Sequence, residues 1–520
     1  MVAEPPRRDD LAASADRTVS AAVGEGVPAA ISPGLVSMVD ASPAVAETHV
    51  SVVFFVGDRV YKLKKPIELP FVDLRRRVDR EAICHREVEL NRRLSPDVYL
   101  GVVDLVGGDG EVCDHLVAMV RMPADRRLSH LIGAGIDITN GVRDLAALIA
   151  DFHRRAERSA SIDAAVSRPA VIRNWEDNLD VLHRDGADIV DPVVVERVGY
   201  LAHRYLEGRI TLFDERIAEG CAVDGHGDLL ADDIYLLDDG PRVLDCLEFS
   251  DQLRSVDVLD DIAFLAMDLE RLGAPEAAAQ LLNDYVEASH HPQPHSLAHH
   301  YVAYRAGVRA KVACLRAHQG DPASGVLART FLDIAHRHLE RARVRLVMVG
   351  GLPGSGKSTI AAALSAHTGW PVLRSDETRK RLAGVAAETS MAADYGAGIY
   401  TPEWSDATYR ALLAEAEMLL ERGRSVIVDA SWTEIGHRND ATAIAMATAS
   451  DVVPLICEAP VEVTDARLDA RPGGSVSDAD RRIAHEMAAR GRPWHEAAVI
   501  DTSLSVDASV AVALEELGMG

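Results

Sequence analysis

Gly351-Leu352-Pro353-Gly354-Ser355-Gly356-Lys357-Ser358-Thr359 has the form G-x-x-x-x-G-K-[ST], and the apolar run Val344 to Val349 leads into it. That run reads as a buried parallel strand and Ile360 to Ala366 as a helix. The loop thereby ends on a helix N-terminus, whose free N–H groups and dipole favour anions. Phosphate chemistry explains the residue types. Glycines let backbone N–H groups turn around phosphate oxygens, Lys357 neutralises β/γ charge, and the Ser358 hydroxyl is placed to hold Mg²⁺. Gly351, Gly354, Ser355, Gly356 and Thr359 complete the cradle. A chance glycine-rich turn would lack the flanking strand and helix.

Downstream, strand and helix keep alternating: Val372–Leu373, Asp406–Arg422, Ser425–Val428 and Val452–Cys457. This predicts a parallel sheet in an α/β domain. Asp376 follows the second strand, where a carboxylate near the γ-phosphate can accept a hydroxyl proton. N-capping is the structural alternative for Asp376. Ser425 to Asp429 is an apolar strand ending in an acid, a pattern that supports a bound metal. Arg467 and Arg471 lie one turn apart, followed by Pro472-Gly473-Gly474 and a helix start at Ser477 with Asp480 as cap. This predicts a lid carrying arginines to a transferring phosphoryl group.

These residues, about 344–500, resemble the small P-loop kinases: polynucleotide 5′-hydroxyl kinases, gluconate kinases, chloramphenicol phosphotransferase and zeta-toxin kinases. The resemblance implies Asp376 as general base, Asp429 on metal or acceptor, and Arg467 and Arg471 lining a lid. Tyr400, Tyr409 and Arg438 also fall where this group repeats residues.

Most of the chain precedes the loop. At 520 residues the length suggests about three domains. The balance of 81 acidic against 55 basic residues gives a net charge of −26, which argues against non-specific binding to nucleic acid or anionic membranes. The cysteines are scattered without a C-x-x-C pair, so neither a zinc site nor a disulfide framework is expected. The N-terminus lacks an apolar segment, so no secretory signal is expected, and no apolar run is long enough to span a membrane. The expected setting is the cytoplasm.

Residues 1–27 are polar and read as a mobile tail. His49–Val56 and Arg59–Lys65 around Gly57-Asp58 read as a β-hairpin, Arg80–Leu94 as a helix, and Val102–Val106 and His115–Met122 as two more strands. From Pro123 to about Ala342 the pattern is mainly helical. It is interrupted by His226-Gly227-Asp228-Leu229, with Asp233 five residues after Asp228, a turn at Asp238-Asp239-Gly240, and Val243 to Glu248. Phosphoryl transfer to a hydroxyl needs a carboxylate near the acceptor and oxygen ligands for Mg²⁺, and this segment supplies such a set.

The segment resembles the aminoglycoside-phosphotransferase family, a branch of the protein-kinase-like fold whose H-G-D-[LI] motif matches His226 to Leu229. The resemblance implies Asp228 as base and Asp245 as a magnesium ligand. The family's Asn position is Asp233 here, a departure that leaves its metal role open, and a degenerate site is the alternative. In the same resemblance Lys62, in Val60-Tyr61-Lys62, holds nucleotide phosphates and Glu87 pairs with it. Lys64, on the same strand face, is the other candidate. No full glycine-rich cover loop follows the hairpin.

The helix Leu297–His318 carries Tyr301, Arg305 and Arg309 on one face, which suggests either an acceptor-holding surface or ordinary salt bridging. His290, His291, His295, His299 and His300, interspersed with prolines, read as a loop more than as a metal site.

The expected architecture is a multidomain chain. Its parts are the tail, a bilobal α+β kinase-like domain over 28–342 (N-lobe about 28–122, helical C-lobe about 123–342), and a three-layer α/β P-loop domain over 343–520. The expected function is a bifunctional, ATP- and Mg²⁺-dependent phosphotransferase acting on hydroxyls of small molecules such as sugars, aminoglycosides or related polyols. The competing expectations are a regulatory or degenerate module with the P-loop half as an ATPase gate, or a nucleotide or polynucleotide-end kinase.

Overall fold

The computed structural model describes residues 44–48, 50–69, 72–291, 293–386, 389, 398–470, 480–490 and 492–519. The expected N-terminal tail, Arg471 and the Pro472-Gly473-Gly474 stretch lie outside these residues. The chain divides into two compact units, one of residues 1–137 with 226–254, the other of 138–225 with 255–520. Compactness thus places its boundaries elsewhere than the expected junction at 342/343. Among the described residues no helix is long and apolar enough to cross a membrane.

The first unit is built on a five-stranded antiparallel sheet. In spatial order its strands are Ala44–Glu47, Ser51–Val56, Arg59–Lys64, Val112–Val120 and Tyr99–Val106. The Arg59–Lys64 strand has alternate residues on opposite faces. Tyr61 and Leu63 join Phe54, Leu116 and Ala118 on one face, while Val60 packs with Cys84 and Val88 on the other. Lys62 and Lys64 share the face of Val60 and so point toward the helix Arg77–Asn91. That helix buries Cys84, Glu87, Val88 and Asn91, which lie at i, i+3, i+4 and i+7. An acid and an amide thus ride in the helix's inward stripe. The hairpin Ile234–Leu237 with Gly240–Val243 turns at Asp238-Asp239 and delivers the chain to Asp245.

The second unit joins long helices to a parallel sheet. The helices include Thr139–Arg155, Arg168–Asp185, Pro192–Glu207, Ile210–Ala218, Val258–Arg271, Pro275–Ser289, His295–His318 and Pro322–Ala342. The sheet runs Val372–Arg374, Val426–Asp429, Arg345–Gly350, Asp451–Glu458, Ala498–Asp501, with every pairing parallel. Val347, Val349, Ile427, Leu455 and Ile500 meet Ile360, Ala361 and Leu364 of the helix Lys357–Thr368 in its core. The phosphate loop leaves the central strand, where strand order reverses and α/β sheets open a crevice for ligands.

Inside this unit the helices are tied directly to the sheet layer. Arg204 and Arg343 both reach Asp451, at 2.9 and 2.7 Å. Arg422 forks onto Glu215, the Ser296 hydroxyl donates to Gly423 O at 2.6 Å, and Arg209 donates to Thr448 O at 2.6 Å.

Candidate functional site

In the first unit a chain of charges links strand, helix and the segment after the hairpin. Lys62 Nζ lies 3.0 Å from Glu87 Oε1 and also bonds Asp245. Lys64 Nζ lies 2.6 Å from Glu87 Oε2 and bonds Glu248. Burial alone would lower the pKa of Lys62, but Asp245, Glu87 and Glu248 outweigh it and hold the ammonium firmly charged. Glu87 is likewise desolvated, and the two lysines overcome this and hold its carboxyl below the usual range. Asn91 fixes the frame: its side chain donates to Glu87 O and accepts from Cys246 N.

Asp245 has φ 64, a left-handed conformation that Asp tolerates better than most residues. Its N–H donates to the Tyr99 hydroxyl at 3.1 Å. His226, fully buried, bonds Leu244 O through Nε2 at 3.1 Å, and its Nδ1 accepts from Asp228 N. The His-Gly-Asp segment is thereby fastened to the segment between the strand Gly240–Val243 and Asp245. Burial and the nearby Asp245 and Asp228 push the Asp233 carboxyl well above the usual range. Like charges gathered in this way favour a cation, so the residues present fit a divalent metal. Among the described residues no three His, Cys, Asp or Glu are arranged to hold an ion by themselves. Carboxylates supplemented by phosphate oxygens are a usual Mg²⁺ shell.

In the second unit Gly351, Gly354 and Gly356 have φ of 140, 81 and 87. A Cβ at Gly351 would lie 2.4 Å from Ser355 Oγ, and one at Gly354 2.8 Å from Thr464 O. Glycine is therefore required on both conformational and spatial grounds. Lys357, Ser358 and Thr359 open the following helix. Asp429 ends the strand beside the central one, in register with Val349, and is 4% exposed. Its Oδ1 is buried without a hydrogen-bond partner, as is Ser355 Oγ. A buried carboxylate oxygen left open beside a phosphate loop fits a metal with its waters.

Lys357 and Asp376 line one cavity of ≈ 1270 Å³, together with Arg379, Tyr400, Asp406 and Tyr409. Asp376 sits in the first turn of the helix Ser375–Leu382. Arg379, 7% exposed, donates to Ile399 O at 2.9 Å and lies over the Tyr400 ring. Tyr409 stacks on His437, whose Nε2 meets Asp406 at 2.9 Å.

Several of the residues named from the sequence have protein partners in the structure. Arg467 is exposed, and its guanidinium donates to Gly354 O, Thr502 O and the Thr502 hydroxyl, beside the phosphate loop and the end of the last strand. Arg438 donates to Trp432 O, Pro493 O and Arg492 O and lies over Trp494, a clamp on backbone. Arg305 forks onto Asp260 with two 2.7 Å bonds and is buried, so salt bridging and not acceptor binding is its role. His299 and His338 bond each other at 3.0 Å, His338 bonds Glu270, and His300 accepts from Trp175. His295, His299 and His300 belong to a helix, not to the expected loop. Sequence reading did not single out Glu248, Tyr99, Arg379 or Thr502. The spacing of Arg379 one turn after Asp376 was the available signal for one of them.

The family profile described as an AAA domain matches residues 346–493. A sugar kinase from Janibacter sp. HTCC2649 aligns over 34% of this chain and 95% of its own, at 21% identity and a TM-score of 0.27. A choline/ethanolamine kinase family protein from Mesorhizobium loti aligns over 63% of this chain and 93% of its own, at 12% identity and a TM-score of 0.36. The uncharacterized protein Rv2004c of Mycobacterium tuberculosis is 42% identical over 459 residues, 88% of this chain and 92% of that protein. With that identity across nearly all of both proteins, the chain belongs to the family of this mycobacterial protein.

Proposed function

We propose that each module transfers the γ-phosphoryl group of ATP to a hydroxyl of a small molecule, a sugar, an aminoglycoside or a related polyol. The observation that carries the reading is the shared wall of Lys357 and Asp376 around one cavity. A phosphate-binding lysine and a carboxylate facing the same space are what an in-line transfer to a hydroxyl needs. The loop's N–H groups and Lys357 would hold the phosphates. Ser358 and Asp429 would hold Mg²⁺, which when bound offsets charge on the transferring group. Asp376 would accept the acceptor's proton, and Asp406, Tyr409 and His437 give the cavity hydrogen-bonding partners for hydroxyls.

The first module has the parallel set in other geometry. Lys62 would take the phosphates, Asp233 and Asp245 the metal, and Asp228 the acceptor's proton. Catalysis in both rests on positioning and charge neutralisation, since phosphoryl transfer asks for little covalent help.

The test is an ATP-consumption screen of the full chain over sugars, aminoglycosides, nucleosides and oligonucleotide ends. It is run with Asp228→Ala, Asp376→Ala and Lys357→Ala separately. The expected result is two acceptor sets, one lost with Asp228→Ala and the other with either P-loop substitution. If Asp228→Ala changes turnover of no acceptor, two-site catalysis is wrong. If nucleotide binds and nothing turns over, the P-loop half is a gate.

A further inference from the structure

Lys62 and Lys64 divide a single buried acid. Glu87 is fully buried, with Oε1 at 3.0 Å from Lys62 Nζ and Oε2 at 2.6 Å from Lys64 Nζ. Beyond them Lys62 continues to Asp245 and Lys64 to Glu248. The alternating series Asp245, Lys62, Glu87, Lys64, Glu248 runs out from the Asp245 segment and back to it three residues later. It therefore fastens strand, helix and segment to one another at both ends.

The two lysines differ in what they can reach. The Lys62 side chain is 13% exposed and abuts Asp245, which is 45% exposed, so it borders open space. The Lys64 side chain is 1% exposed between two buried acids. A lysine that turns part of its charge onto a phosphate compensates its carboxylate less fully. A fully buried carboxylate without a cation is strongly disfavoured. Glu87 has a second cation that does not leave.

We propose that Lys64 is a positioning residue, which holds Glu87 and Glu248 in place while Lys62 shares its charge between Glu87 and the nucleotide phosphates. The proposal rests on the kinase reading of this module. It assigns Lys62 alone as the phosphate ligand and makes the helix and the Asp245 segment a preassembled frame that does not depend on occupancy.

The experiment uses the full chain carrying Lys357→Ala, which silences nucleotide binding at the phosphate loop. Binding of a fluorescent ATP analogue and Mg²⁺-ATP hydrolysis are then read for Lys62→Met, Lys64→Met, Lys64→Arg and Glu248→Gln, with circular dichroism to confirm folding. Lys62→Met is expected to weaken nucleotide binding by about tenfold or more, a single charge-assisted contact. Lys64→Met is expected to leave the dissociation constant within about threefold while hydrolysis falls by about a hundredfold, the signature of lost positioning. Lys64→Arg should restore part of that rate, and Glu248→Gln should reproduce part of the loss. Equal weakening of nucleotide binding by both lysine substitutions would overturn the assignment, as would a Lys64→Met protein with parental hydrolysis. If the Lys357→Ala parent binds no analogue, the kinase reading itself fails and the proposal falls with it. That outcome is distinct, because it appears before any Lys64 substitution is made.

Discussion

Acidification should weaken the second unit through His300, by an amount the structure allows to be worked out. The ring is fully buried, stacked on Tyr205 with centroids 4.6 Å apart, and its Nε2 accepts from the Trp175 indole at 3.3 Å. Burial, then Arg209 and His203, lower its pKa to about 3. In the unfolded chain an ordinary histidine titrates near ~6.5. Between these values the unfolded chain binds the proton and the folded chain does not, so stability rises with pH and is lost progressively as pH falls. From pH 7 to pH 5 the loss from this one group is about 2 kcal/mol. His300→Phe keeps the stacking on Tyr205 and leaves the Trp175 N–H without its acceptor, at about 1–3 kcal/mol that does not vary with pH. The assay is urea unfolding of parent and variant at pH 7 and pH 5, followed by tryptophan fluorescence. The variant should be the less stable at pH 7, yet its stability should fall by about 2 kcal/mol less on acidification. A variant with the parent's full pH dependence would refute the argument, because the buried neutral ring would then not be the source of the slope.

Arg305→Met should destabilise the second unit by about 3–5 kcal/mol in chemical unfolding, since it leaves Asp260 buried without its cation. Adding Asp260→Leu should recover most of that loss, and acceptor KM should be unchanged throughout. At Asp245, Asn tolerates the left-handed backbone while Ala does not, so Asp245→Ala should melt below Asp245→Asn by about 1 kcal/mol, with first-module turnover lost in both. Gly351→Ala brings a Cβ within 2.4 Å of Ser355 Oγ and 2.7 Å of Cys457 O. Nucleotide binding at the phosphate loop should fall by about tenfold or more, while turnover that depends on Asp228 persists.

What could be read from the sequence was what is local. The phosphate loop declares itself within nine consecutive residues because one helix N-terminus and its preceding turn perform its whole task. The parallel sheet was legible from short apolar runs alternating with amphipathic helices, and the strand of Lys62 from its period of two. The partners of charged residues were not legible, because they are chosen by tertiary packing. Lys64 and Glu248 are separated by 184 positions. Arg305 looked like a member of a basic surface because Asp260 lies on another helix, 45 positions away. The bond from Arg467 to Thr502 O, 35 residues on, had no local signal either. The helices Arg168–Asp185 and Pro322–Ala342 were subsumed in a general helical pattern. Their apolar stripes are interrupted by buried polar residues such as Asn178 and His338, and the partners of His338 (His299 and Glu270) come from other helices.

The same dependence on packing decides how the two proposed activities can be studied. Residue 342 looks like a natural place to cut, since a new sheet begins at Arg345. Yet the helices before the cut bury their ends against the sheet layer after it. Arg204 reaches Asp451, Glu215 takes Arg422, and Arg209, wholly buried, donates to Thr448 O. A fragment ending at residue 342 would expose those surfaces and strand their charges. It should elute as aggregate or melt well below the parent, and a monomeric fragment with the parent's melting temperature would refute this. Gly208 tests the same contact without a cut. A Cβ there would lie 2.0 Å from Thr448 O, and a backbone carbonyl cannot rotate away as a side chain can. Gly208→Ala should therefore cost about 1–3 kcal/mol, read as a fall in melting temperature, although it lies far in sequence from the phosphate loop. If that substitution is silent, the helices and the P-loop sheet are separable bodies. If it is not, the helices and the P-loop sheet of the second unit are one body, and the proposed sites have to be switched off by point substitution in the whole chain.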